Sequence, residues 1–373
     1  MKRACVFLSV VVLALACNGP SEKKGTRSVI ISGKVGFPKE GNITIQNVSD
    51  TSDRQELSFD PDKYTFKGKV YFSEPGYYRI TFFNSQIVDV ILDKNDLEVN
   101  VDGNEQDGFY EVIGSPDFEL FKEIGSIQQS FQNSPELSRL NEVFQAAVSA
   151  NDESQIEAIQ ATYQELLKTP LDSMAALLVK YTPSVGVIDI LKRGDIDADR
   201  YFNVYEQVAA SLTGEWANYK VGKEYLEMFN KMKPVAIGQV APEIELPNPQ
   251  GQLIKLSSLR GKYVLVDFWA KWCGPCRAEN PNVVAAYKQF KDKGFEVFGV
   301  SLDRTKADWE KAIAEDGLHW TQVSDLKYFD SQAARLYNIH AIPFSILLDK
   351  NGVIIAKNLR NKALHKKLKE ILG

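Results

Sequence analysis

Cysteine is scarce: four occur in 373 residues, at positions 5, 17, 273 and 276. That is too few for a fold stapled by cross-links, so a disulfide framework is excluded as the source of stability. Histidine is scarcer, with His319, His340 and His365 only. A zinc site takes four ligands, and Cys273 and Cys276 with one of these histidines leave the set short, with no second cysteine pair. The net charge is −5 with no basic block, which excludes nucleic acid as a partner, because nothing would track a phosphate backbone. The apolar run at residues 6–16 is too short to span a bilayer. There is no internal repeat.

What is present reads as globular protein, with 44% hydrophobic and 25% charged residues and a length that calls for two or three domains. Met1-Lys2-Arg3, the apolar run and the small residues after it have the layout of an export signal. Ordinary signal-peptidase cleavage accounts for the alanines alone. Leu13-Ala14-Leu15-Ala16-Cys17 also resembles the lipobox of bacterial lipoproteins. That resemblance implies a signal peptide over 1–16 and a diacylglycerol on the Cys17 thiol. Cys5 then leaves with the signal, and Cys273 and Cys276 are the free thiols of the mature chain. Residues 18–27, rich in Gly, Pro, Ser and Lys, read as a tether. Fully extended, such a segment reaches roughly 35 Å.

Short β-type runs at 29–35, 42–45, 64–72, 77–83, 87–92 and 97–101, separated by turn residues, predict an antiparallel β-rich domain over 28–114. No cysteine, histidine or clustered acids mark it as catalytic. The period then changes. Phe118, Phe121, Ile124 and Ile127 follow helical spacing, and 115–235 reads as a helical region. Residues 236–373 alternate strand and helix signals, which predicts an α/β sheet covered on both faces. Its last two strands, 344–348 and 353–356, are joined by Asn351-Gly352, a hairpin turn.

The chemistry lies in Phe268-Trp269-Ala270-Lys271-Trp272-Cys273-Gly274-Pro275-Cys276-Arg277-Ala278-Glu279-Asn280-Pro281. Cys273 falls where a buried strand gives way to a helix, and unpaired backbone donors and the helix dipole there favour thiolate. That makes Cys273 the nucleophile and Cys276 the resolving thiol. Gly274 and Pro275 suit the turn and the first helical positions. Asp267 is the one acid in an apolar strand, placed either to exchange a proton with Cys276 or to cap a neighbouring loop. Glu279, three residues beyond Cys276, either modulates the thiols or is a solvated surface acid.

Residues 236–373 resemble the TlpA-like, ResA-like membrane-anchored thioredoxin family of bacterial thiol-disulfide oxidoreductases. Ala241-Pro242, Gly251 and Leu256, the cysteine motif, and Ala341-Ile342-Pro343 carry the likeness. The resemblance implies an α/β thioredoxin fold at the C-terminus. It implies Cys273 as attacking thiol, Cys276 as resolving thiol, Glu279 as the acid near them, and Pro281 as a helix kink. Pro343 becomes a cis-proline offering its backbone to an extended substrate, in a binding surface with Trp272, Gly274, Pro275 and Ile342. Asp267 matches the buried acid of thioredoxin itself. Phe344 departs from the threonine common after the cis-proline. The β-rich segment resembles a domain found ahead of such modules in bacterial lipoproteins.

A static disulfide would close a very small loop and restrict little unfolded-state entropy. A peroxidase, suggested by kinship with peroxiredoxins, lacks a further cysteine. The remaining alternative is an envelope binding or scaffold lipoprotein with a redox-sensing thioredoxin module. Gly-Pro between the cysteines matches thioredoxin, a reducing couple at about −270 mV, whereas strong oxidants use other residues such as histidine there. The expectation is a lipid-anchored protein-disulfide reductase of the cell envelope, facing the periplasm. Its partners are disulfide-containing envelope proteins and a membrane thiol electron donor. It uses no cofactor beyond the Cys273–Cys276 disulfide and no metal.

Overall fold

The computed structural model describes residues 27–373. The expected signal peptide over 1–16, the lipid on Cys17 and the tether as far as residue 26 lie outside the described residues. No helix among the described residues is long and apolar enough to cross a membrane. The chain forms two compact units, one ending at Phe118 and the other running from Glu119 to Gly373.

In the first unit, apolar side chains alternating with polar ones give strands β1 (Arg27–Lys34), β2 (Ile43–Asn47), β3 (Arg54–Asp60), β4 (Thr65–Phe72), β5 (Gly76–Phe82), β6 (Gln86–Leu92), β7 (Leu97–Val101) and β8 (Tyr110–Ile113). They pair in the order β6-β5-β2-β3-β4-β1-β7-β8. All neighbours are antiparallel except β1 and β7, which run parallel with Ile31 opposite Leu97. The turn spacing predicts six strands, all antiparallel; β3, β8 and the parallel pair are corrections. β3 is too polar to stand out as an apolar run, and it is a strand because β2 and β4 pair with it on either side. Inward-facing Phe66, Val70, Phe72, Tyr78, Ile80 and Phe82 form much of the core. The rings of Phe66 and Phe82 meet edge-on at 5.3 Å. Gly33 lets β1 pass close to β7: a Cβ there would lie 1.8 Å from the Val99 carbonyl oxygen.

The second unit begins with helices α1 (Pro116–Gln132), α2 (Pro135–Ser149), α3 (Glu153–Leu166), α4 (Lys168–Tyr181), α5 (Val185–Arg193), α6 (Phe202–Ser211) and α7 (Lys220–Met232). The Ser184 hydroxyl accepts from Val187 N at 3.0 Å and starts α5; Gly194, at φ 75°, ends it. Leu178, Val187, Ile188 and Val208 pack a helical core. Its buried tyrosines are satisfied: Tyr225 donates to the Tyr205 carbonyl at 2.9 Å, and Tyr205 to that of Ile196 at 3.0 Å.

The α/β part follows with β9 (Glu245–Pro247), β10 (Leu253–Lys255), β11 (Tyr263–Trp269), α8 (Gly274–Phe290), β12 (Phe295–Ser301), α9 (Lys306–Asp316), β13 (Thr321–Val323), α10 (Gln332–Leu336), β14 (Phe344–Leu348), β15 (Ile354–Lys357) and α11 (Asn361–Leu372). β9 and β10 form a separate hairpin, and the other five strands a sheet in the order β13-β12-β11-β14-β15. β11 is central, parallel to β12 and antiparallel to β14. This is a thioredoxin-like fold. The hairpin and β13 lie outside the expected strands, being three residues each and too short to show a period.

The helices and the α/β part fall within one compact unit rather than two. Lys357 of β15, whose side chain is largely buried, pairs with Asp199 at 2.5 Å, and Lys362 of α11 with Glu157 at 2.7 Å. Gly238 N donates to the Ile354 carbonyl and Ile354 N to that of Gln239, both at 2.8 Å, so the segment entering the α/β part lies along β15.

Gly33→Ala forces a methyl group onto the Val99 carbonyl. It is expected to destabilise the first unit by about 2 kcal/mol or more, read as a lower urea midpoint by far-UV circular dichroism; an unchanged midpoint would show that β1 and β7 can separate freely.

Candidate active site

β11 is buried nearly throughout, and its C-terminal end delivers the chain to a turn in which Cys273 N donates to the Ala270 carbonyl at 3.1 Å. Cys273 is the residue that caps α8: its sulfur accepts from Cys276 N at 3.2 Å. Gly274 and Pro275 occupy the first helical turn, where proline gives up no hydrogen bond. Cys273 and Cys276 form a disulfide with Cα atoms 5.3 Å apart. Both are buried, Cys276 only slightly more than Cys273. Trp272, immediately before them, is 46% exposed.

Three residues without a local signature hold this turn. Asp303, just beyond β12, receives the Lys271 N–H on both carboxylate oxygens at 3.1 and 3.2 Å and the Ser301 hydroxyl at 2.8 Å. It is 1% exposed, and burial raises its pKa against these bonds. Lys271 itself pairs with Asp308 in the first turn of α9. One residue back, Trp269 Nε1 donates to Gln322 Oε1 at 3.0 Å. Gln322 fills the space over Gly299, where a Cβ would lie 2.4 Å from that same oxygen. A side chain at position 299 would displace the Gln322 amide that holds Trp269.

The Ile342–Pro343 bond is cis. β14 pairs with β11 so that Phe344 stands opposite Phe268. Continuing that register by one residue puts Pro343 beside Trp269, at the end of the sheet from which the cysteine turn leaves. Ile342 and Phe344 are partly buried against the same core. The chain after β15 closes back on this corner. Asn358 N donates to the Ser345 carbonyl at 2.8 Å, and the Arg360 guanidinium donates to that of Pro343. Nothing in the sequence ties Arg360 to the motif, because it lies 17 positions and two strands beyond Pro343.

Asp267 is buried in β11 opposite Ser345, and its carboxyl has no hydrogen-bond partner among the described residues. It caps no loop. Burial first, and then the like charge of Glu279, push its carboxyl up to about 7, while Arg360 pulls it down. Glu279 is partly buried and its carboxylate accepts from Asn361 N, at the start of α11, at 2.8 Å. Its reach to the thiols is thus through the field at Asp267 rather than by contact. Pro281 lies inside α8.

A cysteine pair at a helix N-terminus, a buried carboxyl behind it and a cis-proline at its side, on a thioredoxin-like sheet, define a thiol-disulfide oxidoreductase. The family model for AhpC/TSA proteins matches residues 237–357. Thiol-disulfide oxidoreductase ResA of Geobacillus kaustophilus is 34% identical over 130 residues, 35% of this chain and 73% of the relative. The Bacillus subtilis ResA is 30% identical over 131 residues, 35% of this chain and 72% of the relative. Among solved structures, the thioredoxin domain of a Bacteroides vulgatus thiol-disulfide oxidoreductase is 42% identical. It covers 37% of this chain and 99% of its own length, at a TM-score of 0.36. The chain belongs to the ResA-like family of thiol-disulfide oxidoreductases.

Two outcomes follow from Asp267. Between the ordinary carboxyl value of 3.8 and the folded value of about 7, the native state keeps a proton that the unfolded chain has lost. Stability therefore falls as pH rises through that window and levels off above it. Asp267→Asn removes the penalty, so it should stabilise the protein at pH 8 by on the order of 2–4 kcal/mol and give no such gain near pH 4. Equal effects at both pH values in urea titrations would contradict a buried carboxyl. Arg360→Ala removes a cation that favours carboxylate, and the Asp267 titration, followed by carbon-13 NMR, should move upward; a downward move would reverse the assignment.

Proposed function

We propose that this chain is a lipid-tethered reductase of protein disulfides in the cell envelope, anchored through Cys17 and facing the periplasm. The observation that carries the reductive direction is the pair Gly274-Pro275 between the cysteines, with no histidine there to stabilise a strongly oxidising thiolate. The anchor rests on the lipobox-like sequence before Cys17.

In the dithiol form, the Cys273 thiolate, favoured at the start of α8, attacks one sulfur of a substrate disulfide and expels the other as a thiolate. A mixed disulfide on Cys273 results. Asp267 as carboxylate takes the proton from Cys276, whose thiolate attacks the Cys273 sulfur and releases the second substrate thiol. The enzyme is left as the Cys273–Cys276 disulfide, and two electrons have passed to the substrate. Burial, and then the like charge of Glu279, hold the Asp267 carboxyl near neutrality, so that it can both accept and return a proton. Trp272, Gly274, Pro275, Ile342 and Pro343 form the surface on which the substrate chain lies, with the Pro343 backbone pairing to it. The reacting group is the disulfide itself, without metal or organic cofactor. Restoring the dithiol requires a membrane thiol carrier as donor.

The reduction potential of the couple, measured against glutathione buffers in protein lacking residues 1–17, tests the direction. A value near or below about −250 mV supports a reductase, and one near −120 mV would make the protein an oxidant. In the same preparation, Cys273→Ser should abolish reduction of a protein disulfide such as insulin. Cys276→Ser should instead accumulate a mixed disulfide on Cys273; accumulation on Cys276 in the Cys273→Ser protein would exchange the two roles.

A further inference from the structure

Beside the dithiol, the surface proposed for the substrate continues from Trp272 onto side chains that the reaction above does not use. Trp272 is 46% exposed. Its ring stands 5.0 Å from that of Tyr328 and 6.1 Å from that of Phe329, and those two rings are 4.7 Å apart, edge to face. Tyr328 has φ 57°, a conformation an aromatic residue rarely adopts, so the surrounding chain holds its ring in place. The Arg304 guanidinium lies 4.2 Å from the centre of the Tyr328 ring.

Arg304 differs from most of the cations around it, Lys327 beside Tyr328 being the other exposed one without an ion pair among the described residues. Lys271 is paired with Asp308, Arg277 with Glu315 and Asp316, and Arg335 with Asp330. Arg304 is exposed and, among the described residues, has no carboxylate partner. Its backbone is nonetheless tied to the cysteine turn. The preceding residue, Asp303, holds the Lys271 N–H two residues before Cys273. A guanidinium stacked on a ring keeps the N–H donors of its edge free, in the planar fork that suits a carboxylate.

We propose that Trp272, Tyr328, Phe329 and Arg304 select substrate polypeptides that carry an acidic side chain next to the cysteine being reduced. The inference rests on the dithiol chemistry of Cys273 given above. For a substrate sulfur to meet Cys273, the residue flanking the substrate cysteine must pass over the neighbouring Trp272. The aromatic rings then take its backbone and stem, and Arg304 takes its carboxylate. The whole-chain charge of −5 acts the other way, since it favours basic peptides. An acidic preference is therefore a signature of this local cation.

The test uses pre-reduced protein lacking residues 1–17 and three symmetric peptide disulfides that differ only in having Glu, Gln or Lys before the cysteine. Oxidation of the dithiol is followed by tryptophan fluorescence in single turnover, at about 10 mM ionic strength, where screening is weak. The Glu peptide should react about fivefold faster than the Lys peptide, the scale of an exposed ion pair, and the ratio should fall toward one in about 1 M salt. Arg304→Glu should invert the order and Arg304→Gln should bring it close to one. A ratio of one in the unaltered protein, or a ratio that Arg304→Glu leaves unchanged, overturns the proposal. Failure of all three peptides to react would instead remove the reductive chemistry on which it rests.

Discussion

The Lys271 N–H held between the two oxygens of Asp303 is the contact on which the geometry of the site depends. Strand β11 can deliver a chain to the edge of the sheet, but its pairing with β12 ends at Trp269 opposite Ser301. The next residues have no ladder to follow. Asp303 supplies the missing acceptor, and because it lies two residues beyond the same β12, it carries the register of the sheet into the cysteine turn. Only then does Cys273 fall where the unpaired donors of α8 can act on its sulfur. The hydrogen bonds to Asp303 oppose the cost of burying a charge, which would otherwise favour its neutral form.

Two buried carboxyls serve this corner in different ways. Asp303 is well supplied with donors and acts as a fixture. Asp267 has none, and its proton is held loosely enough to be exchanged near neutral pH. Glu279 and Arg360 bracket it with opposite charge, and each is also a tether, Glu279 to the start of α11 and Arg360 to the Pro343 carbonyl. The last helix and the cis-proline turn are thus connected to the carboxyl proposed to exchange a proton with Cys276. A movement of either would be felt at Asp267 as a change of field.

The parts of this site that were legible in the sequence are those with local signatures. Cys273, Gly274, Pro275 and Cys276 announce a helix start, Asp267 is conspicuous in an apolar strand, and Ala341-Ile342-Pro343 belongs to a known pattern. The alternation of strands and helices in the last third was legible for the same reason where the elements are long enough to show a period, which β9, β10 and β13 are not. Asp303, Gln322, Arg360 and Arg304 were not, because each meets the motif only through pairing across the sheet or through a turn returning from a distant element. In the first unit, the polar strand β3 was hidden because partners on both sides, rather than its own pattern, make it a strand.

The chain that enters the α/β part along β15 has a role unrelated to thiols. Ile354 gives its N–H to Gln239 and its carbonyl to Gly238, while at the opposite border of the sheet Ser324 N donates to the Pro247 carbonyl at 3.0 Å. The outer strand β15 and the residue that follows β13 at the other border therefore have backbone groups already engaged. An open strand border is a template on which another chain can add, and such addition leads to aggregation. Its own lead-in segments occupy part of these borders, which leaves fewer positions at which another chain could add a strand.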